Sequence, residues 1–292
     1  MKLGLGTVQF GLDYGISNSA GKTLPAEVRE ILLLAASSGI RVLDTAAGYG
    51  QSEEVLGECS DSDWPFKIVT KTPAFGGVTA GTAECDRLGA TFRESLRKLR
   101  RQKVYGLLAH HASDLLAPGG ERLVGAMLDL KARGLVEKVG ASVYSGAQID
   151  ALLERFPIDI VQLPLNVLDQ RLLASGHIRA LKKAAVEIHV RSIFLQGLLL
   201  MPLERLPEYF EPARAHLKRY QAFLLGHGMT PMHAALGFAL GVPEVDHVIL
   251  GVNTRQQLQE IVSQESAPVD VDWREFALDL VPMVDPSQWR LN

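Results

Sequence analysis

The sequence predicts an α/β fold, a single-domain (β/α)8 TIM barrel with extra helices before the eighth strand and at the C-terminus. Eight short apolar runs recur along the 292 residues, and segments with helical periodicity follow them. Strands that alternate with helices pair in parallel through right-handed crossovers, and eight parallel strands close a barrel. Because such barrels form one domain at this length, residues 1–292 are expected to be a single unit.

The predicted strands are short. In chain order they cover residues 3–8, 41–45, 66–71, 104–109, 136–142, 158–163, 188–193 and 247–252. The segment 25–38 illustrates the helical pattern, because Pro25 suits a first turn and Gly39 a helix end. The other predicted helices cover residues 85–101, 120–133, 148–156, 174–185, 231–240 and 254–264.

Two further helices lie outside the repeat. The wide gap between the seventh and eighth strands is expected to hold a helix around residues 211–225. The tail after Asp270 is expected to form another, over residues 273–280, and then an irregular end.

Charge and cysteine content exclude several classes of protein. The chain has 30 Lys plus Arg and 33 Asp plus Glu, without a basic stripe, so nucleic acid is not an expected partner. Cys59 and Cys85 lack the spacing of a disulfide framework or a zinc site. His189 and His247 stand alone in the sequence, so no metal site is predicted. No apolar run reaches a membrane span of about 18 residues, and a cytoplasmic location is expected.

Four residues with catalytic potential follow the predicted strands. Asp44, Lys71 and His110 end the second, third and fourth strands, and Tyr49 lies in the loop after Asp44. Catalytic groups in such barrels come from these strand ends. Asp44 shares a strand face with Val42, so it points into the barrel if Val42 packs there, and a buried carboxylate needs a cation.

Lys71 can supply that cation, and two interpretations of the pair remain open. In the first, the ion pair only holds the barrel together and Tyr49 is a rim aromatic. In the second, Tyr49 is a general acid. A lysine within about 4 to 6 Å would lower the pKa of Tyr49 by roughly 1 to 3 units, and a neutral His110 would orient the substrate oxygen. Proton transfer of this kind is complementary to hydride transfer from a cofactor.

A third interpretation is a Schiff-base aldolase that uses Lys71. A catalytic amine needs a depressed pKa, however, and Asp44 would raise the pKa of Lys71.

The sequence also resembles the aldo-keto reductase family, from LGLGT at Leu3 to ILGVNTRQQL at Ile249. The most specific segment is LDTAAGYGQSEEVLG, residues 43–57, which is similar to the family's segment with the catalytic Asp and Tyr. Lys71 and His110 fall at the positions of the family's other two catalytic residues. The resemblance implies NADP(H), with NAD(H) possible, bound across the barrel mouth, and reversible reduction of a small-molecule carbonyl substrate.

Cofactor contacts are carried over by the same resemblance. It assigns the nicotinamide end of the cofactor to Gly6, Thr7, Ser142 and Gln162, the pyrophosphate to Ser192, Leu195 and Gly197, and the adenosine phosphate to Gly251, Asn253, Thr254, Arg255 and Gln257. Arg191 is also carried over as a cofactor contact, at the position where many members have a tyrosine that stacks on the nicotinamide. The sequence departs from the family there and at Val143, Gln257 and Ile261.

Substrate contacts are expected from three elements at the barrel mouth: Tyr14 in the first loop, His111 beside His110, and Trp289 in the tail. A hydroxyl on the glycine-flanked loop favours a polar, sugar-like carbonyl compound. The alternative from another class is a cofactor-binding regulatory protein with little turnover, as in the potassium-channel beta subunits of the family. The sequence does not determine the oligomeric state.

Overall fold

The computed structural model describes residues 1–18, 20–60, 64–264 and 271–290. Eight parallel strands pair in chain order and close into a barrel, which confirms the predicted (β/α)8 fold. The strands are β1 Leu3–Gly6, β2 Val42–Asp44, β3 Lys67–Lys71, β4 Val104–Ala109, β5 Val136–Ser142, β6 Ile160–Pro164, β7 Glu187–Arg191 and β8 His247–Gly251.

Helices follow the strands and cover the barrel from outside. They are α1 Val8–Gly11, α2 Pro25–Ser37, α3 Ser52–Cys59, α4 Thr82–Leu99, α5 Ala112–Leu116, α6 Gly120–Ala132, α7 Gly146–Arg155, α8 Arg171–Ala174, α9 His177–Lys183, α10 Arg214–Gly226, α11 Pro231–Gly241, α12 Arg255–Ser263 and α13 Val281–Val284. Short 3-10 segments lie at Leu195–Leu200, Leu203–Arg205, Glu208–Ala213, Trp273–Phe276 and Pro286–Gln288. Among the described helices, none combines the length and apolar character needed to cross a membrane.

Two helix predictions need correction. The predicted helix 174–185 is divided because Gly176 adopts a left-handed conformation with φ of 80° between α8 and α9. The predicted tail helix 273–280 stops after the 3-10 turn Trp273–Phe276. There the backbone N–H of Leu278 donates to the carbonyl oxygen of Leu168 at 2.9 Å instead of continuing a helix.

The barrel interior holds its own small apolar cluster, separate from the larger core. Side chains from five strands meet in it: Val42, Val69, Leu108, Ile160 and Ile249. Strands on different sides of a barrel can share such a cluster only along its axis. Since Val42 packs inside, Asp44 also points inward, two residues nearer the C-terminal end of the barrel.

A polar cluster lies at the N-terminal ends of β7 and β8. His189 and His247, which the sequence analysis treated as solitary, are partners in the strand register. Their rings are 4.9 Å apart, and with Glu187 they form a group able to hold a metal ion. The Glu187 carboxylate, however, already accepts hydrogen bonds from His189, Lys138 and Tyr105. Its charge is therefore balanced by the protein itself.

Candidate active site

A cavity of about 480 Å³ opens at the C-terminal ends of the strands. It is lined by most of the residues that the sequence analysis singled out: Gly6, Thr7, Tyr14, Asp44, Tyr49, Lys71, Ser142, Gln162, Arg191, Ser192, Gly197, Gly251, Asn253, Thr254 and Gln257. Five other predicted site residues lie outside this lining: His110, His111, Leu195, Arg255 and Trp289.

Asp44 and Lys71 form a buried ion pair beneath the cavity. The ammonium Nζ of Lys71 lies 2.8 Å from each carboxylate oxygen of Asp44 and also donates to the carbonyl oxygen of Thr45 at 2.9 Å. Asp44 and Lys71 are only 4% and 2% exposed. The predicted pair is therefore present, and breaking it would leave an uncompensated buried charge.

Lys71 remains protonated in this environment. Burial is the largest single effect and opposes its charge, but the electrostatic and hydrogen-bond contributions of Asp44 and Tyr49 together outweigh it, and the pKa of Lys71 is raised above its ordinary value. An amine held in the ammonium form cannot attack a carbonyl carbon. The electrostatics thus disfavour the Schiff-base interpretation.

Tyr49 lies in the turn between β2 and α3, where its backbone N–H donates to the carbonyl oxygen of Ala46 at 3.0 Å. The Lys71 ammonium is 5.0 Å from the centroid of its ring. The pKa of Tyr49 is nevertheless raised, because burial outweighs the effect of the Lys71 charge. The predicted lowering of this pKa is wrong in sign, and the hydroxyl is protonated at neutral pH.

His110 follows β4, and its backbone N–H donates to Oγ1 of Thr72 at 3.3 Å. Its ring lies edge-on to that of Tyr49, with 5.9 Å between the centroids. Burial, aided by the charge of Lys71, lowers the pKa of His110 to about 4. The imidazole is therefore neutral at pH 7, as its proposed role as a hydrogen-bonding group requires.

Gln162 and Ser142 line the cavity from β6 and β5, and both are buried. The amide nitrogen of Gln162 donates to Oδ1 of Asp44 at 2.7 Å, a contact that the sequence did not predict. Since the nitrogen is engaged there, the carbonyl oxygen is the atom of Gln162 left to accept a hydrogen bond from a ligand.

The hydroxyl of Thr7 is engaged in hydrogen bonds within the protein. Its hydroxyl donates to the carbonyl oxygen of Asp44 at 3.0 Å and lies 2.8 Å from the hydroxyl of Ser52. Gly6, its neighbour, pairs with Asp44 on one side and with Gly251 on the other. These two residues therefore shape the cavity wall with backbone atoms.

The segment after β7 has an unusual backbone. Ser192, Leu195 and Gln196 adopt left-handed conformations with φ of 63°, 47° and 53°. Gly197 does so at φ of 95°, and a Cβ atom there would lie 1.9 Å from the hydroxyl oxygen of Ser17. Non-glycine residues in this region carry strain, which concentrates at ligand-binding sites. Leu195 itself is fully buried and does not line the cavity.

The first loop, described at residues 12–18 and 20–24 between α1 and α2, contacts residues of two walls of the cavity. Its residue Ile16 donates a backbone hydrogen bond to the carbonyl oxygen of Gln196 at 3.1 Å. At the other wall, the side chain of Asn253 donates to the carbonyl oxygen of Gly21 at 3.1 Å. Asn18 shapes the loop by donating to the carbonyl oxygens of Tyr14 and Gly21. The sequence analysis did not identify Asn18, although an asparagine near glycines is a recognised turn signal.

The start of α12 is already well supplied with hydrogen-bond acceptors. Thr254 caps the helix, and Gln257 accepts from the backbone N–H of Asn253 at 2.7 Å. A carboxylate oxygen of Glu27 accepts from the backbone N–H of Arg255 at 2.6 Å. The backbone N–H of Asn253 is therefore already engaged by Gln257 and is not free to bind an anion. The side chains of Arg255 and Gln257 are exposed.

The three predicted substrate residues occupy different environments. Tyr14 lines the cavity and is 38% exposed. His111 stacks on His110, with 5.0 Å between the ring centroids. Trp289 is 9% exposed and packs edge-on against Phe210 at 4.8 Å. The expectation that Trp289 faces the substrate needs correction, because its ring is part of the apolar core beneath the tail.

The closed barrel and the buried ion pair at its cavity agree with the comparison against known protein families. The model of the aldo/keto reductase family matches residues 2–272, and the chain belongs to this family. No curated protein matches the chain.

Solved structures of similar fold carry the same family name. A putative aldo-keto reductase from Pseudomonas aeruginosa is 22% identical over 91% of this chain and 89% of its own, with a TM-score of 0.66. The aldo-keto reductase AKR11C1 from Bacillus halodurans, in its holo form, is 21% identical over 94% and 90%, with a TM-score of 0.74. At these identities the similarity to the solved structures shows a shared fold and nothing beyond it.

Proposed function

We propose that this protein is an NADPH-dependent reductase of a small aldehyde or ketone, with Tyr49 as the general acid. The observation that carries the proposal is the position of the Lys71 ammonium. It contacts both carboxylate oxygens of Asp44 and lies 5.0 Å from the centroid of the Tyr49 ring. A fixed cation beneath a protonated hydroxyl, in a cavity, is the arrangement that proton donation to a developing alkoxide needs.

The residues of the cavity fit a dinucleotide cofactor. Gln162 has a carbonyl oxygen free toward the cavity, and the strained segment 192–197 presents backbone groups along one wall. At the other end of the cavity, Asn253 and Gln257 line the wall and Arg255 lies near them. When bound, NADPH would supply the hydride. Gln162 and Ser142 would hold the nicotinamide carboxamide, and residues 192–197 and 251–257 the phosphates.

Proton transfer is then assigned to the chain's own residues. Tyr49 donates its hydroxyl proton to the carbonyl oxygen of the substrate as that oxygen gains negative charge. Lys71 stabilises the phenolate that remains, and Asp44 keeps Lys71 protonated and in place. His110, as a neutral imidazole, orients the carbonyl oxygen. In the reverse direction the phenolate accepts the proton of an alcohol.

A carbonyl panel tests the proposal. Polar and sugar-like aldehydes and ketones are incubated with the protein and either NADPH or NADH while absorbance of the reduced cofactor is followed. We expect turnover with NADPH for at least one polar carbonyl compound, and we expect Tyr49→Phe to abolish most of it. Tight NADPH binding by fluorescence titration without turnover of any compound would instead indicate a regulatory cofactor-binding protein.

A further inference from the structure

Arg191 places a guanidinium in the wall of the cavity. It ends β7, and its guanidinium carbon lies 4.4 Å from the centroid of the Tyr144 ring. The titratable groups that interact with it most strongly are Tyr144, Tyr49 and Tyr14. The cation is therefore on the Tyr49 side of the cavity, where the substrate carbonyl would be protonated.

This cation has no direct ion-pair partner within the part of the chain that the structure describes. Its one hydrogen bond there runs from Nη1 to the hydroxyl oxygen of Ser192, at a long 3.3 Å. Nη2 is buried without any hydrogen-bond partner among the described residues. Asp285 is the carboxylate that interacts with it electrostatically, but no hydrogen bond or ion pair among the described residues joins the two groups, and Ser287 and Gln288 donate to that carboxylate instead.

The neighbouring charges do not supply the balance either. Lys71 and Asp44 neutralise each other, and burial raises the pKa values of Tyr49 and Tyr14, so that these two hydroxyls are uncharged at neutral pH. Among the described residues, the region around Tyr49 thus carries a guanidinium charge that no direct ion pair balances. A half-buried cation without an ion-pair partner is costly, so an anionic ligand that supplies the partner gains more from the contact than it would at the surface.

We propose that Arg191 binds a carboxylate carried by the carbonyl substrate, so that the preferred substrates are oxo acids or uronic acids rather than neutral aldehydes. This inference rests on the proposed reductase function. A planar guanidinium is complementary to a carboxylate in shape and opposite to it in charge, and Tyr14 adds a hydroxyl at the same wall. Arg191 is then a specificity-determining residue of the site.

The test uses matched substrate pairs that differ in the carboxylate. Succinic semialdehyde is compared with butanal, and D-glucuronate with D-glucose, by kcat/KM with saturating NADPH. Wild-type protein is expected to favour the acid of each pair by about tenfold to a hundredfold, the effect of a charge-assisted hydrogen bond. Arg191→Met should remove this preference mainly through KM of the acid. Arg191→Lys should keep part of it, because the charge remains without the planar fork.

A binding measurement separates this inference from the reductase function. Succinate, which has no carbonyl to reduce, is titrated calorimetrically into the NADPH-saturated protein. We expect Arg191→Met to weaken its binding at least tenfold. The control Lys22→Met removes an exposed cation, bonded to Gln51, and should leave succinate binding unchanged.

The possible outcomes are distinct. If succinate binds in an Arg191-dependent manner but no carbonyl compound is reduced, the reductase function fails and the carboxylate site stands. If carbonyls are reduced without preference for the acid, the inference is overturned and the reductase function stands. If Arg191→Met weakens NADPH itself at least tenfold in a fluorescence titration, the counter-charge is a cofactor phosphate, and the inference is overturned.

Discussion

Gln162 and Lys71 donate to the same carboxylate oxygen, Oδ1 of Asp44, at 2.7 Å and 2.8 Å. The second oxygen, Oδ2, accepts from Lys71 at 2.8 Å. One buried carboxylate therefore fixes both the cation beneath Tyr49 and the amide that is proposed to hold the cofactor. In the proposed function, proton transfer and cofactor placement both depend on the carboxylate of Asp44.

Loss of the Lys71 cation should destabilise the barrel. Lys71→Met leaves Asp44 buried with one donor from Gln162, and we expect the free energy of unfolding in urea to fall by about 3 to 5 kcal/mol. The double variant Asp44→Asn with Lys71→Met removes both charges and should be less destabilised. Identical urea midpoints for Lys71→Met and wild type would show that the pair is not buried.

Removal of the Tyr49 hydroxyl should affect chemistry more than binding. Tyr49→Phe is expected to lower kcat about a hundredfold or more, because it removes the general acid and keeps the ring. The dissociation constant of NADPH, measured by fluorescence, should change less than about threefold. The matched control is Tyr144→Phe, which removes a hydroxyl from the same cavity and should retain more of kcat. A Tyr49→Phe variant with wild-type turnover is incompatible with the mechanism.

The pH profile of reduction follows from the two pKa shifts. Tyr49 must be protonated to act as an acid, and its raised pKa keeps it protonated to a more alkaline pH than a free tyrosine. His110, with a pKa of about 4, is neutral well below pH 6. We expect kcat/KM to be level between about pH 6 and 9 and to fall only above that range. A midpoint near neutrality would mean that Lys71 dominates the environment of Tyr49 after all.

Cofactor preference should be modest and set by the start of α12. We expect NADPH to bind about tenfold more tightly than NADH, or about 1.4 kcal/mol. Arg255→Met should remove most of this margin. Glu27→Gln should increase it about twofold to fivefold, because the carboxylate on the backbone N–H of Arg255 repels a phosphate. Glu30→Gln on the same helix, α2, is the control. Equal affinities of the wild type for both cofactors would contradict the assignment.

The tail and the first loop should separate in their effects. Trp289→Ala removes a buried ring that packs on Phe210, and we expect a loss of about 3 to 5 kcal/mol in unfolding free energy. Tyr14→Phe removes one hydroxyl from the cavity wall and should raise KM for a hydroxylated substrate about threefold to tenfold, with stability unchanged. Wild-type stability of Trp289→Ala, together with a raised KM, would show that Trp289 contacts the substrate instead of packing in the core.

Much of the barrel is readable from the sequence because eight strand patterns alternate with seven helical ones; the helix α3, Ser52–Cys59, is not predicted. Asp44 and Lys71 could be paired for the same reason, since adjacent strand ends bring them together. The sign of the Tyr49 pKa shift could not be predicted, because it depends on the depth of burial and not on spacing. The contact of Glu27 with Arg255 joins residues far apart in the chain, and no local pattern marks it.

The order of the strands has a consequence for how the chain folds. Along the barrel from β1 to β8, neighbours in the sheet are consecutive in the sequence, whereas closure joins Leu3 to Val248. Closing so long a loop carries the largest entropic cost of any strand pairing, so we expect the seam to form late in folding. Gly6 and Gly251 face each other across this seam. During synthesis the complete cavity can therefore exist only after its lining residues as far as Gln257 have left the ribosome.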